Sequence, residues 1–138
     1  MLMKKVNYTN NRRILVVDDV EVHRVMMDSF LRKINPFLTV EQASTVPEAI
    51  EKLGNGKFDA VVSDWNLPDH GGDVLLKWMR SRANFNRVPF IMVSSNTDNE
   101  DIIHAFMKLG VDAYVTKPFK AQDLYEKIVA AYDKRNPG

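Results

Sequence analysis

Two short apolar runs that end in acid constrain this chain more than any other feature. Ile14-Leu15-Val16-Val17 meets Asp18-Asp19 directly, and Ala60-Val61-Val62 passes through Ser63 to Asp64. A strand with one wet face would alternate apolar and polar residues. A continuous, β-branched run of this length instead reads as a strand buried on both faces, the kind found in parallel sheets. Between the runs the period changes. Over residues 20–34, Val22, Met26 and Phe30, and also His23, Met27, Phe30 and Ile34, recur at helical spacing until Asn35-Pro36 stops the helix.

The same alternation continues to the C-terminus. Residues 37–43 read as a second strand. Thr45-x-x-Glu48 is a capping box with Pro47 in the first turn, and its helix ends at Leu53-Gly54-Asn55-Gly56. The third strand delivers Asp64 to a loop carrying Asn66, Pro68, Gly71 and Gly72, and the following helix presents Val74, Leu75, Trp78 and Met79 on one face. Residues 89–94, PFIMVS, form the fourth strand. Thr97-x-x-Glu100 opens a helix with Ile102, Ile103, Phe106 and Met107 inward, and Gly110 stands where a left-handed cap is wanted. Residues 113–116 are the fifth strand, ending at Lys117-Pro118-Phe119. The last helix carries Leu124, Ile128 and Val129, and its N-cap, Lys120, has no acceptor to offer the first turn. Trp78 and the Met-rich first helix read as core or partner contact, with core favoured. Five strands alternating with five helices imply an α/β fold with a parallel sheet covered on both faces.

Length and charge narrow the function. The 138 residues suit one domain. Residues 1–12 form a polar N-terminal arm, 13–135 the domain and 136–138 a C-terminal tail. A net charge of +1 gives no global field for nucleic acid or membrane surfaces. The chain has no cysteine, which excludes disulfide and thiolate chemistry, and no apolar run of membrane-spanning length. A soluble, cytoplasmic protein is expected.

In a parallel sheet the strand ends share one edge, where ligands of open α/β folds bind. Asp18 and Asp19 follow the first strand, and Asp64, Ser94 and Lys117 stand at the ends of the third, fourth and fifth. Read locally, Asp19 could be an N-cap, Asp64-x-Asn66-x-Pro68 a turn and Lys117-Pro118 a rigid bend. Read together, three carboxylates in one pocket require a compensating charge. An all-oxygen set suits Mg2+, with Mn2+ as a substitute, whereas His23, His70 and His104 are not spaced as a metal cluster. Three carboxylates against a divalent ion and the Lys117 ammonium balance, which favours an anionic phosphoryl group with a carboxylate as its acceptor.

Four motifs carry a resemblance to the receiver domains of two-component response regulators, over about residues 13–132. They are LVVDD (15–19), SDWNLPxxxG (63–72), MVSS (92–95) and YVTKPF (114–119), each at the end of its strand. The resemblance implies a flavodoxin-like, doubly wound (βα)5 fold with strand order 2-1-3-4-5. It also implies that Asp64 accepts a phosphoryl group from a phosphohistidine of a sensor histidine kinase or histidine phosphotransfer protein. Asp18, Asp19, Asp64 and the backbone carbonyl of Asn66 match the magnesium ligands. Lys117, before a cis peptide to Pro118, matches the lysine that contacts the acyl phosphate. Ser94 and Tyr114 match the switch pair, and Asn66 and Asn96 match positions that tune phosphate lifetime. The output surface would be the face made by the fourth helix, fifth strand and fifth helix.

Within that family the chain is most similar to single-domain chemotaxis (CheY-like) regulators, which implies a flagellar motor switch or a phosphatase as the downstream partner. His70, Ser94 in place of threonine, Asp69, Gly71 and the N-terminal arm depart from the common pattern. The resemblance implies no catalysis beyond the protein's own phosphotransfer and autodephosphorylation, and a monomer or a weak dimer formed on phosphorylation. Other readings are a phosphorelay intermediate, a receiver cut from a larger regulator, and a degenerate receiver acting only as a docking module. A magnesium-dependent aspartyl-phosphate phosphohydrolase would need a DxD motif where this chain has Asp18-Asp19-Val20.

Overall fold

The structure is a computed structural model that describes residues 12–68, 70–95 and 99–137. In chain order the elements are β1 (Arg13–Val17), α1 (Glu21–Ile34), β2 (Thr39–Ala43), α2 (Val46–Gly54), β3 (Ala60–Asp64) and α3 (Gly72–Arg80). A 3-10 turn (Ala83–Phe85), β4 (Phe90–Ser94), α4 (Asn99–His104, continued by a π-helical turn at Ala105–Leu109), β5 (Ala113–Thr116) and α5 (Ala121–Arg135) complete them. The five strands pair in parallel, as the apolar runs require, in the order β2-β1-β3-β4-β5 that the resemblance implies.

The continuous apolar runs are explained by a core on each side of the sheet. Leu15, Val17, Val61, Phe90 and Met92 face α2 and α3, with Ala49, Leu53, Leu75, Leu76 and Met79 packed on them. Ile14, Val16, Val62, Ile91, Val93 and Val115 face α1 and α5, against Met27, Leu31, Leu124, Tyr125 and Ile128. Each fully buried aliphatic side chain here contributes about 1.5–3 kcal/mol. No helix among the described residues is long and apolar enough to cross a membrane.

Three helix faces differ from the sequence expectation. On α1 the buried residues are Met27 and Leu31, while Val22, Met26 and Phe30 are exposed. Helical spacing offers two stripes on this helix, and packing against α5 selects one of them. On α3 Val74 is exposed, and Leu76 is buried instead beside Leu75 and Met79. On the π-helical turn Met107 is 75% exposed and Ala105 takes the buried position. The wider turn shifts the register that a regular helix would keep. The side chains of Ile103 and Phe106 lie outside the described ones, as does Thr97 of the second capping box.

Local capping follows chemistry closely. Thr45 is the N-cap of α2, and its Oγ1 accepts the Glu48 N–H at 3.2 Å. The return half is displaced by one residue, since Glu48 Oε1 accepts from Ser44, from its N–H at 2.6 Å and its hydroxyl at 3.0 Å. At α1 the stop comes from Asn35, whose Oδ1 accepts the Phe37 N–H and whose Nδ2 donates to the Tyr125 hydroxyl. Gly110 adopts φ 84°, the left-handed cap foreseen for it. Lys120 caps α5 without a side-chain hydrogen bond.

The edge of the sheet where β4 begins is tied by a network absent from the sequence reading. Asp112 Oδ2 accepts from Arg80 NH2 and from the Phe90 N–H, both at 2.8 Å, and Oδ1 accepts from Arg135 Nε at 2.6 Å. Arg80 also donates to the carbonyls of Phe85, Val88 and Gly110. Burial and the neighbouring Arg135 pull Arg80 below the usual arginine range, with Asp112 opposing them. The network joins α3, the 3-10 turn, β4, β5 and the end of α5.

Three substitutions test these contacts. Asp112→Ala leaves two largely buried guanidinium groups without their carboxylate and should cost about 3 kcal/mol in urea denaturation. Thr45→Ala should cost about 1 kcal/mol. The Ser44 N–H holds the Glu48 carboxyl below the usual glutamate range, against a smaller opposing effect of burial. That contribution is therefore present above the unfolded glutamate pKa and is lost as pH falls through the lower folded value. Glu48→Gln should cost less than about 1 kcal/mol at neutral pH, since solvent screens the group, and its penalty should vanish in acid melts.

Candidate functional site

Parallel strands of matched register bring the polar strand ends to one edge. Asp64 ends β3, Ser94 ends β4, Asp18 follows β1, and Lys117 follows β5. Asp18 is fully buried, Ser94 is fully buried, and Asp64 is 9% exposed. Lys117 Nζ stands 3.1 Å from Asp18 Oδ2 and 3.0 Å from Asp64 Oδ2, crossing the strand ends to reach both. Burial disfavours its ammonium, but the hydrogen bond and charge of Asp64, reinforced by Asp18, outweigh this and hold Lys117 above the usual lysine range.

Asp18, Asp19 and Asp64 each place a carboxylate oxygen within 4.8 Å of the others. An all-oxygen, acidic set of this compactness fits a hard divalent cation. The Asp64 carboxylate is held open by the loop after β3, where the Asn66 N–H donates to its Oδ1 at 3.1 Å. Asn66 Nδ2 reaches toward Ser94 Oγ at 3.5 Å, which links the β3–α3 loop to the end of β4. The Lys117 N–H also donates to the Ser94 carbonyl at 3.0 Å, so β4 and β5 remain tied beyond their last paired residues.

The other sequence-predicted residues fall as follows. The Lys117–Pro118 peptide is cis. Tyr114 pairs with Met92 in the sheet, back from the strand ends, and packs half-buried against the core on the α2–α3 side. His70 is exposed in the β3–α3 loop. Asn96 and Asp69 lie outside the described residues. The N-cap of α1 is Val20, and it is Asp18 whose carboxylate takes the Val20 N–H, at 2.9 Å, so the local reading of Asp19 as the cap does not hold.

Three contacts at the site escaped sequence reasoning. His23 Nδ1 lies 3.4 Å from Asp18 Oδ2. Arg24 NH1 donates to the Asp18 carbonyl at 2.7 Å. Both lie in the first turn of α1, a signal readable only once the start of that helix is known. Gly72, the first residue of α3, donates its N–H to the Trp65 carbonyl, and a Cβ there would meet the Asp64 carbonyl oxygen at 2.7 Å. Glycine thus lets α3 seat directly on the backbone of the acidic strand end. Trp65 follows Asp64 directly in the chain, and its ring stands edge-on to Phe90 at a centroid distance of 6.4 Å.

Residues 14–129 match the family described as the response regulator receiver domain. The chain is 36% identical over 124 residues to the chemotaxis protein CheY of Pseudomonas aeruginosa, covering 90% of this chain and 98% of that one. It is 35% identical to the chemotaxis protein CheY-3 of Vibrio cholerae, covering 90% and 94%. Among solved structures, Vibrio cholerae CheY4 superposes with a TM-score of 0.81 at 25% identity, over 88% of this chain and 99% of that one. A CheY-like receiver domain protein from Methanospirillum hungatei gives 0.80 at 30% identity, over 92% and 98%.

Lys117 is the neutralising cation among these carboxylates, and its removal separates two effects. Lys117→Met should lower the melting temperature without divalent ions, because the carboxylates then repel one another. The same substitution should tighten Mg2+ binding, and added Mg2+ should narrow the gap to the parent in thermal melts. In the parent, the raised folded-state pKa means that Lys117 stabilises the fold fully below the ordinary lysine pKa of about 10.4. That contribution is lost as pH rises through the folded value.

Proposed function

Since the chain belongs to the response regulator receiver domain family, we propose that it is a phosphorylation-controlled switch whose acceptor is Asp64. The observation that supports this most is the Lys117 ammonium held between the Asp64 and Asp18 carboxylates at 3.0 and 3.1 Å, at the end of a buried strand. A carboxylate so placed is nucleophilic yet screened from bulk water, and it faces a cation able to follow charge as it moves. Asp18, Asp19, Asp64 and the Asn66 carbonyl would hold Mg2+, or Mn2+ in its place. When bound, the ion supplies charge neutralisation for the phosphoryl oxygens.

The residues of this chain then divide the work. An Asp64 oxygen attacks phosphorus of a phosphohistidine as the N–P bond breaks, and the electron pair leaves with the imidazole nitrogen, which takes up a proton. Lys117 exchanges its bond to Asp64 Oδ2 for one to a phosphoryl oxygen. The Ser94 hydroxyl turns toward another phosphoryl oxygen, and Asn66 donates from the loop. Withdrawal of Ser94 toward the phosphoryl group opens space for Tyr114 to move inward. The changed surface is the face of α4, β5 and α5, where a groove runs between Tyr114, Thr116, Phe119, Asp123 and Lys127. Asn66 and Asn96 would set how long the phosphoryl group lasts.

The partner on the input side is a sensor histidine kinase or histidine phosphotransfer protein. The relatives named chemotaxis proteins support a chemotaxis-like output, with a flagellar motor switch or a phosphatase at the α4-β5-α5 face of a cytoplasmic receiver unit spanning residues 13–135. The catalytic capacity is confined to its own phosphotransfer and autodephosphorylation. A small-molecule phosphodonor with Mg2+ should add one phosphoryl group to the parent, read by intact mass, and none to Asp64→Asn. Equal modification of both proteins would overturn the assignment of Asp64.

A further inference from the structure

A chain of side chains on the outer face of β2 and α1 reaches the acidic turn from outside. Arg32 pairs with Asp28 one helical turn away, and Asp28 Oδ2 accepts from Gln42 Nε2 at 3.1 Å. Gln42 Oε1 accepts from Arg24 Nε at 3.3 Å, and Arg24 NH1 donates to the Asp18 carbonyl at 2.7 Å. The guanidinium is therefore gripped on one edge by the sheet's outer strand and presents its other edge to the backbone between Asp18 and Asp19.

That backbone has unusual importance. Asp18 is fixed at its remaining polar groups: its N–H donates to the Ala43 carbonyl at 3.1 Å, Oδ1 accepts the Val20 N–H, and Oδ2 faces Lys117. Asp19 is exposed, so packing does not choose its direction. The peptide that joins the two is planar, so holding the Asp18 carbonyl also sets the orientation of the Asp19 N–H and the position of its Cα. Helix capping does not supply this constraint, because Val20 caps α1 with no side-chain bond.

We propose that Arg24 is a positioning residue that aims the Asp19 carboxylate at the cation site through the Asp18–Asp19 peptide, with Gln42 holding the guanidinium in register. The charge of Arg24 by itself works the other way. A guanidinium beside a divalent-ion site repels the ion, so an arginine acting only through its charge would weaken binding. One acting through the carbonyl strengthens it. The two roles predict opposite signs.

The proposal rests on the reading that Asp18, Asp19 and Asp64 bind a divalent cation, and the test separates the two. Mg2+ is titrated into the full chain while Trp65 emission is followed, with Mn2+ binding measured independently by calorimetry. Failure of the parent to bind either ion would overturn the cation-site reading, and this proposal with it. Given binding by the parent, Arg24→Ala should weaken both ions by about tenfold, the range found when a group that orients a metal ligand is lost. Gln42→Ala, which keeps the arginine and its charge, should weaken binding in the same direction by a smaller factor. Arg24→Lys, which keeps a donor for the carbonyl, should recover part of the loss. Unchanged or tighter binding by Arg24→Ala in a folded protein would overturn the proposal, as would parent-like binding by Gln42→Ala.

Discussion

Repulsion among carboxylates at one sheet edge is the constraint on which the rest of this structure depends. Asp18 and Asp64 are buried with Asp19 beside them, and their oxygens lie within 4.8 Å of one another. Such a group survives in a folded protein only if something cationic stands among them. Lys117 does so from the end of β5, two strands away from the β3 end that carries Asp64. The fold can place it there because parallel strands end together, and both faces of the sheet are sealed by helices. The edge that holds the acids is thus also the natural opening of the molecule.

The two ends of the sheet are built on different principles. At the edge where β4 begins, Asp112 is bonded by two arginines and by the Phe90 N–H, and the end of α5 is strapped to the loop before β4 through Arg135 and Asn136. These charges satisfy one another, and the arrangement is closed. At the acid edge the cation can be exchanged for another ligand, because the ammonium is single and about a quarter exposed. A saturated network gives rigidity. An exchangeable one gives a site that can respond.

Much of the acid edge was legible in the chain. Continuous apolar runs at Ile14 and Ala60 required a sheet covered on both sides, and each run pointed at its acid. Gly110 and Thr45 announced the helix ends they form, since backbone conformation and hydrogen-bonding capacity are properties of single residues. The faces of helices were less legible. Val22, Met26 and Phe30 have the spacing of a buried stripe and lie exposed, because periodicity gives a stripe but not the neighbour that covers it. Met107 was misplaced for a different reason, since a π-helical turn changes the count of residues per turn.

By itself the sequence determined the strand and helix order, the parallel sheet and the side chains gathered at its edge, because burial pattern and strand polarity are encoded along the chain. Only the tertiary structure decided which contacts those side chains make. Lys117 could have paired with either acid and pairs with both, and Asp18 rather than Asp19 turns the chain into α1. Arg24, His23 and Gly72 join the site through a carbonyl, a carboxylate and a missing side chain. Such roles depend on distances between elements, which no local residue pattern specifies.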